Sequence, residues 1–457
     1  IFPDPAFAPQ IGIFRRVGQA MVREKTITLK NQVGFNLTGL PNPVGFGGTG
    51  ETPLDLNGTQ LSLDPTGLDP EGLTIAPDGT FWVSDEYGPH IIHFAADGRT
   101  IERINPFGLG LGGRKLPKVF ANRRANRGME GIAITPDGKW LAGIMQSAMD
   151  NPFEDRSNIR SKSNITRLVM FHISTGETRQ YVYLQDKANL SNSEIRALSN
   201  TEFVILERDG AFPGDGAPTL KRFYKIDIAG ATDVSDPNDG IYGGTYVVDG
   251  VEKTLEQLYD QDLSTFGIVP VEKKLMLDLV AAVPDYPHDK PEGFEICDDN
   301  VFAIINDDDF GIDSDGNGSI VTKTLPLTGQ ADRNVMYFVK LPAFTVDFVA
   351  DASSVLSVDP VSFSSSVSGG VGNLKYHWDF GDGKTSDEAN PTHMFAKGGV
   401  FTVSLTVRDQ DGVEVASVKS DLVAVTKATE QVIPDSIADL RVATYNTSLN
   451  RAGAGGL

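Results

Sequence analysis

Short runs in which apolar and polar residues alternate dominate the chain, and long helical periodicities are scarce. The runs Glu71-Gly-Leu-Thr-Ile-Ala and Glu130-Gly-Ile-Ala-Ile-Thr each lead into Pro-Asp-Gly and then into a second apolar run, Phe81-Trp-Val-Ser-Asp85 or Trp140-Leu-Ala-Gly-Ile144. A period of two on both sides of Asp-Gly predicts two antiparallel strands and a tight turn, because glycine supplies the positive φ such a turn needs. Later strands are expected over residues 91–94 and 167–173. Looser copies open at Glu194 and Glu292 and turn at Leu198-Ser199-Asn200 and Asp298-Asp299-Asn300.

The copies recur at roughly fifty to sixty residues, the length of a four-stranded propeller blade. Residues 10–342 are therefore expected to form a β-propeller, with six blades as the expected count. The N-terminal strands and the segment 240–283 would supply the blades beyond the four clear copies. Leu255, Leu258 and Tyr259, at helical spacing, predict a short helix over 251–262.

Residues 344–426 alternate more cleanly, as in Val400-Phe-Thr-Val-Ser-Leu-Thr-Val407, and predict a β-sandwich of immunoglobulin size. Trp378-Asp-Phe-Gly-Asp-Gly383, Asn390-Pro-Thr-His393 and Gly398-Gly-Val-Phe401 closely resemble the signature of the polycystic-kidney-disease (PKD) domain. Met394-Phe395 stands where that family usually has a polar residue and a tyrosine, a conservative change for a core aromatic. Residues 427–457 read as a linker followed by Ile437-Ala-Asp-Leu-Arg-Val-Ala-Thr-Tyr-Asn446. That run is similar to the first strand of the endonuclease/exonuclease/phosphatase superfamily, which implies a metal-site role for Asn446 in a truncated further domain. A tail that merely contains a strand-like run is the other reading.

Sixty-one acidic residues against 40 basic ones give a net charge of −21. This argues against nucleic acid as a partner, because phosphate backbones require a basic footprint, and it favours recruitment of cations. Cys297 is the single cysteine, so no intrachain disulfide forms, and it is expected to be a small buried hydrophobe. No stretch approaches the length of a membrane span. The start, Ile1-Phe2-Pro3, lacks an initiator methionine and a basic leader, as in a chain whose signal peptide has been removed.

Glu71, Glu130, Glu194 and Glu292 open the four copies, and the second runs end at Asp85-Glu86, Gln146, Glu207-Arg208-Asp209 and Asn306-Asp307-Asp308. First strands of propeller blades line the central channel, so the four carboxylates are expected to converge. Converging carboxylates require raised pKa values, Arg or Lys partners, or a hard cation such as calcium. On this reading the four glutamates hold metal, while Asp85, Glu86 and Asp307 ligate it or activate water. The alternative is that each glutamate caps its own turn.

From Arg103 to Met129 there are seven basic residues and no acid. Arg123 and Arg127, with Arg208, are the candidate anion clamp, since a guanidinium fork suits phosphate or carboxylate. Solvated loops are the competing explanation for the basic run, and an ion pair with Glu207 the competing role for Arg208. A second basic run holds Arg156, Arg160, Lys162 and Arg167. Asp313, Asp315 and Asn317 have the one, three, five spacing of a calcium loop with Gly318 sixth, but Thr324 stands where a bidentate glutamate belongs. A solitary calcium loop and a plain acidic turn both remain open. No Gly-x-Ser-x-Gly elbow occurs. His90 and His93 fall on opposite strand faces, and His288 is either a general acid or base or a surface loop residue.

Asp69-Pro-Glu-Gly72, Ser84-Asp-Glu-Tyr-Gly88, Gly128-Met-Glu-Gly-Ile-Ala-Ile-Thr-Pro-Asp-Gly138 and Lys290-Pro-Glu-Gly293 together resemble the phytase-like propeller family known as "esterase-like activity of phytase". The resemblance covers roughly residues 15–342. It implies a secreted or periplasmic bacterial protein of phosphate or ester metabolism. The leading expectation is a calcium-dependent hydrolase of small phosphoric or carboxylic esters. The competing one is a non-catalytic propeller and PKD module that binds polysaccharide or protein and serves a downstream enzyme.

Overall fold

The computed structural model describes residues 2, 4–48, 50–216, 218–297, 301–315, 319–410 and 412–428. Asn317 and the strand expected before Asn446 lie outside the described residues. The chain divides into two compact units, Ile1–Pro342 and Ala343–Leu457.

The first unit opens with the hairpin β1 (Gln10–Val17) and β2 (Ala20–Thr28). Four antiparallel meanders follow. The first sheet is β3 (Pro70–Ile75), β4 (Phe81–Asp85), β5 (His90–Phe94) and β6 (Thr100–Ile104). The second is β7 (Met129–Ile134), β8 (Trp140–Met145), β9 (Ile165–His172) and β10 (Thr178–Leu184). The third is β11 (Ser191–Ala197), β12 (Glu202–Arg208) and β13 (Lys221–Asp227), then an inserted hairpin of β14 (Tyr246–Val248) and β15 (Val251–Lys253), then its fourth strand β16 (Glu272–Asp278). The fourth is β17 (Pro291–Cys297) and β18 (Val301–Asn306), an inserted hairpin of β19 (Ile312–Ser314) and β20 (Ile320–Thr322), then β21 (Met336–Lys340).

Successive sheets stack face on face, which buries β4 on both sides. Trp82, Ile132 and Phe171 fill the space between the first two sheets, Leu168, Tyr183 and Phe203 the next, and Phe223, Phe294 and Phe302 the last. Each aromatic removes roughly 150–250 Å² from water, at about 25 cal/mol per Å². The Asp-Gly turns form as expected, with Gly79 at φ 81° and Gly138 at φ 69°. The unit is a β-propeller.

Among the described residues the propeller consists of four sheets of three or four strands plus hairpins. The segment from which a further blade was expected is instead divided. It supplies the β14–β15 hairpin, two 3-10 turns and the outer strand of the third sheet. The predicted helix over 251–262 is reduced to the 3-10 turn Leu255–Leu258, whose start carries a Thr254/Gln257 capping box. Arg167 and Glu256, both fully buried, pair at 2.6 Å and lock this insert to the second sheet. Arg167 is thus structural rather than part of an anion-binding loop. Cys297 is exposed, contrary to expectation, because it ends β17 beyond the residues that other sheets cover.

The first hairpin bridges the first and fourth sheets. Ile11, Ile27 and Leu29 pack with Phe81, Val83 and Phe94, while the Arg16 guanidinium lies over the Phe338 ring of β21 at 4.4 Å.

The second unit is a two-sheet sandwich. One sheet is ordered β22 (Thr345–Ala350), β24 (Pro360–Ser368), β27 (Thr392–Met394); the other β23 (Ser354–Leu356), β29 (Glu414–Thr426), β28 (Gly399–Arg408), β25 (Lys375–Asp379), β26 (Thr385–Ser386). Trp378, Phe380 and Phe395 are buried in its core with Phe348 and Leu405, so Phe395 fills the expected aromatic position. The Trp378 indole N–H donates to the Glu388 carbonyl at 2.8 Å.

Candidate functional site

Each first strand carries a bulge at or beside its glutamate. Pairing jumps from Pro70 opposite Asp85 to Leu73 opposite Val83, and from Met129 opposite Met145 to Gly131 opposite Ile144. It jumps likewise across Ser193, between Asn192 and Glu194, and across Glu292, between Pro291 and Gly293. A bulge re-aims one side chain out of the ladder. Two residues before the apolar positions Leu73, Ile132, Ile195 and Phe294 stand Glu71, Glu130, Ser193 and Glu292. The equivalent of the other three glutamates is therefore Ser193, not Glu194.

Glu194 occupies the place that glycine holds in the other copies, Gly72, Gly131 and Gly293. It pairs with Arg196 at 2.8 Å, and burial outweighs that arginine to push its pKa up to about 7. It does not join the other carboxylates. Glycine is required at two of its counterparts by backbone crowding. A Cβ on Gly72 would stand 2.6 Å from the Ile132 nitrogen, and one on Gly131 2.6 Å from the Ile195 nitrogen.

Glu71, Glu130 and Glu292 do converge. Burial and then repulsion from Glu130 push Glu71 well above the ordinary carboxylate range, with Glu292 adding to it. Glu71 is open to water although protein encloses most of its surroundings, as befits a side chain lining a wet channel. Burial, then repulsion from Glu86, raises Glu130 in the same way. Around this ring lies a second one at the ends of the second strands: Glu86, Gln146 and Asp307, each just past its strand, and Arg208, the last residue of β12. Burial and then Glu71 push Glu86 up to about 9, and burial raises Asp307 to about 6.

Asp69, to which the sequence reading assigned no role, completes the densest cluster. Ligand oxygens of Asp69, Glu71 and Glu86 all lie within 4.8 Å of one another. Burial, then Asp85, raises Asp69 to about 7. Buried Gln146 donates from its amide nitrogen to Glu86 at 3.2 Å, while its amide oxygen has no hydrogen-bond partner. One oxygen of Glu292 is also buried and unpartnered. Hard oxygen donors, mutual repulsion and a spare amide oxygen fit a cation of the calcium type.

The arginines divide into different roles. Arg208 pairs with Glu292 and donates from Nε to Ser193 Oγ at 3.0 Å, so its partner is not the adjacent Glu207. Glu207 is held by Lys273 at 2.8 Å and by the Tyr183 hydroxyl at 2.6 Å. Buried Arg123 donates to the Tyr87, Gly47 and Gly48 carbonyls and fastens loops. Arg127, half-buried, makes one long side-chain hydrogen bond among the described residues, to Ser191 Oγ at 3.3 Å. Its charge is disfavoured by burial and by Arg208, and favoured by Glu130 and Glu86. It is the arginine with capacity to spare at this mouth. Arg160, from the second basic run, is paired with Asp150.

Asp85 is wholly buried and accepts from the Asp69 N–H at 2.8 Å and the Gly88 N–H at 2.9 Å. It shapes the loop that carries Asp69 and does not face the channel. His288 is no surface residue. It is buried between Asp332 at 2.7 Å and the Tyr337 hydroxyl at 2.9 Å. Asp313 and Asp315 lie on the separate, exposed β19–β20 hairpin, where their carboxylates accept from Ser314 and Ser319 N–H groups.

These features define a β-propeller with an acidic channel mouth flanked by arginine, carried with a PKD-type sandwich. Residues 17–310 match the phytase-like family, described as "esterase-like activity of phytase", and the chain belongs to it. Residues 345–425 match the PKD domain. A protein of Arthroderma benhamiae described as an uncharacterized secreted protein is 31% identical over 198 residues, 36% of this chain and 37% of that one. Collagenase ColA of Bacillus cereus is 39% identical over 74 residues, 16% of this chain and 7% of the collagenase. The crystallised PKD1 domain of the Vibrio cholerae metalloprotease PrtV is 32% identical, covering 18% of this chain and 98% of that domain, with a TM-score of 0.16. The chain thus spans about a third of the first relative (37%) and under a tenth of the collagenase (7%). Among the described residues no helix is long and apolar enough to cross a membrane.

Proposed function

We propose that the propeller is a secreted, calcium-dependent hydrolase of phosphoric esters. The observation that carries this reading is the polarity of one channel mouth. Asp69, Glu71 and Glu86 gather oxygens within 4.8 Å of one another, and Arg127 stands close enough to Glu86 and Glu130 to feel both charges. On this reading the three carboxylates hold the cation, with the Gln146 amide oxygen as a further donor. A bound cation would supply Lewis-acid polarisation of a phosphoryl oxygen. Arg127 binds and orients the anion, and Arg208 holds Ser193 and Glu292 in place. Asp307, raised to about 6, is the group at the mouth suited to take a proton from water near neutral pH. The arginine favours an anionic ester over a neutral one. The secreted location is supported by the description of the Arthroderma relative.

A second reading, a propeller and PKD binding module, is favoured by the similarity of the sandwich to a segment of a collagenase. The two are separated by assaying phytate, an aryl phosphate and an aryl carboxylate ester with calcium and with chelator, beside a Glu71→Gln/Glu86→Gln variant. Hydrolysis of a phosphate that needs calcium and disappears in the variant supports the enzyme. Equal, negligible turnover by both proteins leaves the binding module.

A further inference from the structure

The sandwich carries a groove of about 740 Å³, within the size range of ligand sites. It runs between the two sheets where each ends in a short edge strand, β26 on one side and β27 on the other. Neither strand pairs with another along its outer side among the described residues. Its floor is firm: His393 stacks on Phe380 at 4.1 Å and bonds Asp382 at 2.9 Å. Its lining is apolar at Met394, which is 54% exposed, and at Phe401, which stacks on buried Phe395 at 4.6 Å. Gly398 and Gly399 leave main chain uncovered along it. Two exposed lysines, Lys384 and Lys397, stand on the rim, and neither is ion-paired among the described residues.

Each feature specifies part of an occupant. Open strand edges recognise another extended main chain, by adding it to the sheet. An adaptable methionine and an aromatic accept alternate apolar side chains. Two exposed lysines without ion partners among the described residues attract carboxylates locally. We infer that this groove binds an extended acidic peptide segment of a partner protein, laid along β27 with its apolar side chains on Met394 and Phe401 and its carboxylates at Lys384 and Lys397. A polysaccharide would use neither the strand edges nor the lysines in this way.

The test uses the whole chain and a short fluorescent peptide that alternates glutamate with valine, followed by anisotropy. Saturable binding is expected, weakened about tenfold by Lys384→Glu/Lys397→Glu and recovered in that variant by a peptide with lysine in place of glutamate. Met394→Asp, at an exposed position that leaves the fold intact, is expected to weaken binding of the glutamate peptide as well. The inference is overturned if the peptide shows no saturable binding, if the lysine reversal leaves its affinity unchanged, or if a neutral oligosaccharide displaces it. No arm measures hydrolysis, so its failure leaves the phosphoric-ester reading where it stood.

Discussion

Arg208, at the end of β12, donates its guanidinium to the Glu292 carboxylate at the start of β17, and so ties the third sheet to the fourth across the channel mouth. Its Nε is held by Ser193, the one bulge residue of the four that is not a glutamate. Serine there admits the arginine, and the arginine neutralises one member of the carboxylate ring.

Glu292→Gln leaves buried Arg208 without its counter-charge. A loss of about 3 kcal/mol in urea unfolding is expected, from the cost of orphaning one partner of a buried pair. A loss below about 1 kcal/mol would show that water, not Glu292, balances the arginine.

Calcium should raise the thermal midpoint of the wild-type chain by mass action. Glu71→Gln and Glu86→Gln should abolish that rise. Glu194→Gln should keep it, because Glu194 faces Arg196 rather than the cluster. An equal loss in all three variants would restore the four-glutamate ring that the sequence first indicates.

In chelator the apo chain should lose stability as pH rises. Asp69 and Glu86 are raised from 3.8 and 4.5 to about 7 and about 9, so between those limits the folded state binds more protons than the unfolded one. Stability is then full below about pH 4 for these groups and declines as pH climbs through their folded values. Buried His90, held well below 6.5, acts oppositely on the acid side. The difference between wild type and Glu86→Gln in scans from pH 5 to 9 isolates the carboxylate effect. A flat difference contradicts the prediction.

Arg127→Ala should raise KM for an aryl phosphate by about tenfold or more, the loss of one charge-assisted contact. Turnover of a neutral aryl ester, if there is any, should not change. Stability should move little, since the side chain makes one long hydrogen bond.

Gly131→Ala should destabilise by about 1–3 kcal/mol, because the new methyl group meets the backbone of β11. A neutral effect would mean that the inner strands have room to part.

The repeated Glu-Gly before an apolar run made the propeller legible, because both residues answer to one geometry: a bulge that aims the first inward and a neighbouring strand that excludes a side chain from the second. The third copy misled for the same reason. Glu194 looks like its counterparts by type but is displaced by one position, and in a strand one position reverses the direction of a side chain. Counting back from Ile195 rather than matching glutamates would have found Ser193. Asp69 was visible in Asp-Pro-Glu-Gly, yet its role depends on Glu86 folding back beside it, a contact that local pattern does not encode. The Arg167–Glu256 and His288–Asp332 pairs join distant segments and left no mark in the spacing.

The hairpin that leans on both the first and the fourth sheets has a bearing on how this chain is made. Its residues, 10–28, are made well before the Phe338 ring that Arg16 covers, which follows more than three hundred residues later. Its packing on Phe81, Val83 and Phe94 can form early, whereas its contact with β21 must wait until that strand is made. The seam between the first and fourth sheets therefore closes late, and a seam left open during synthesis is exposed to mispairing.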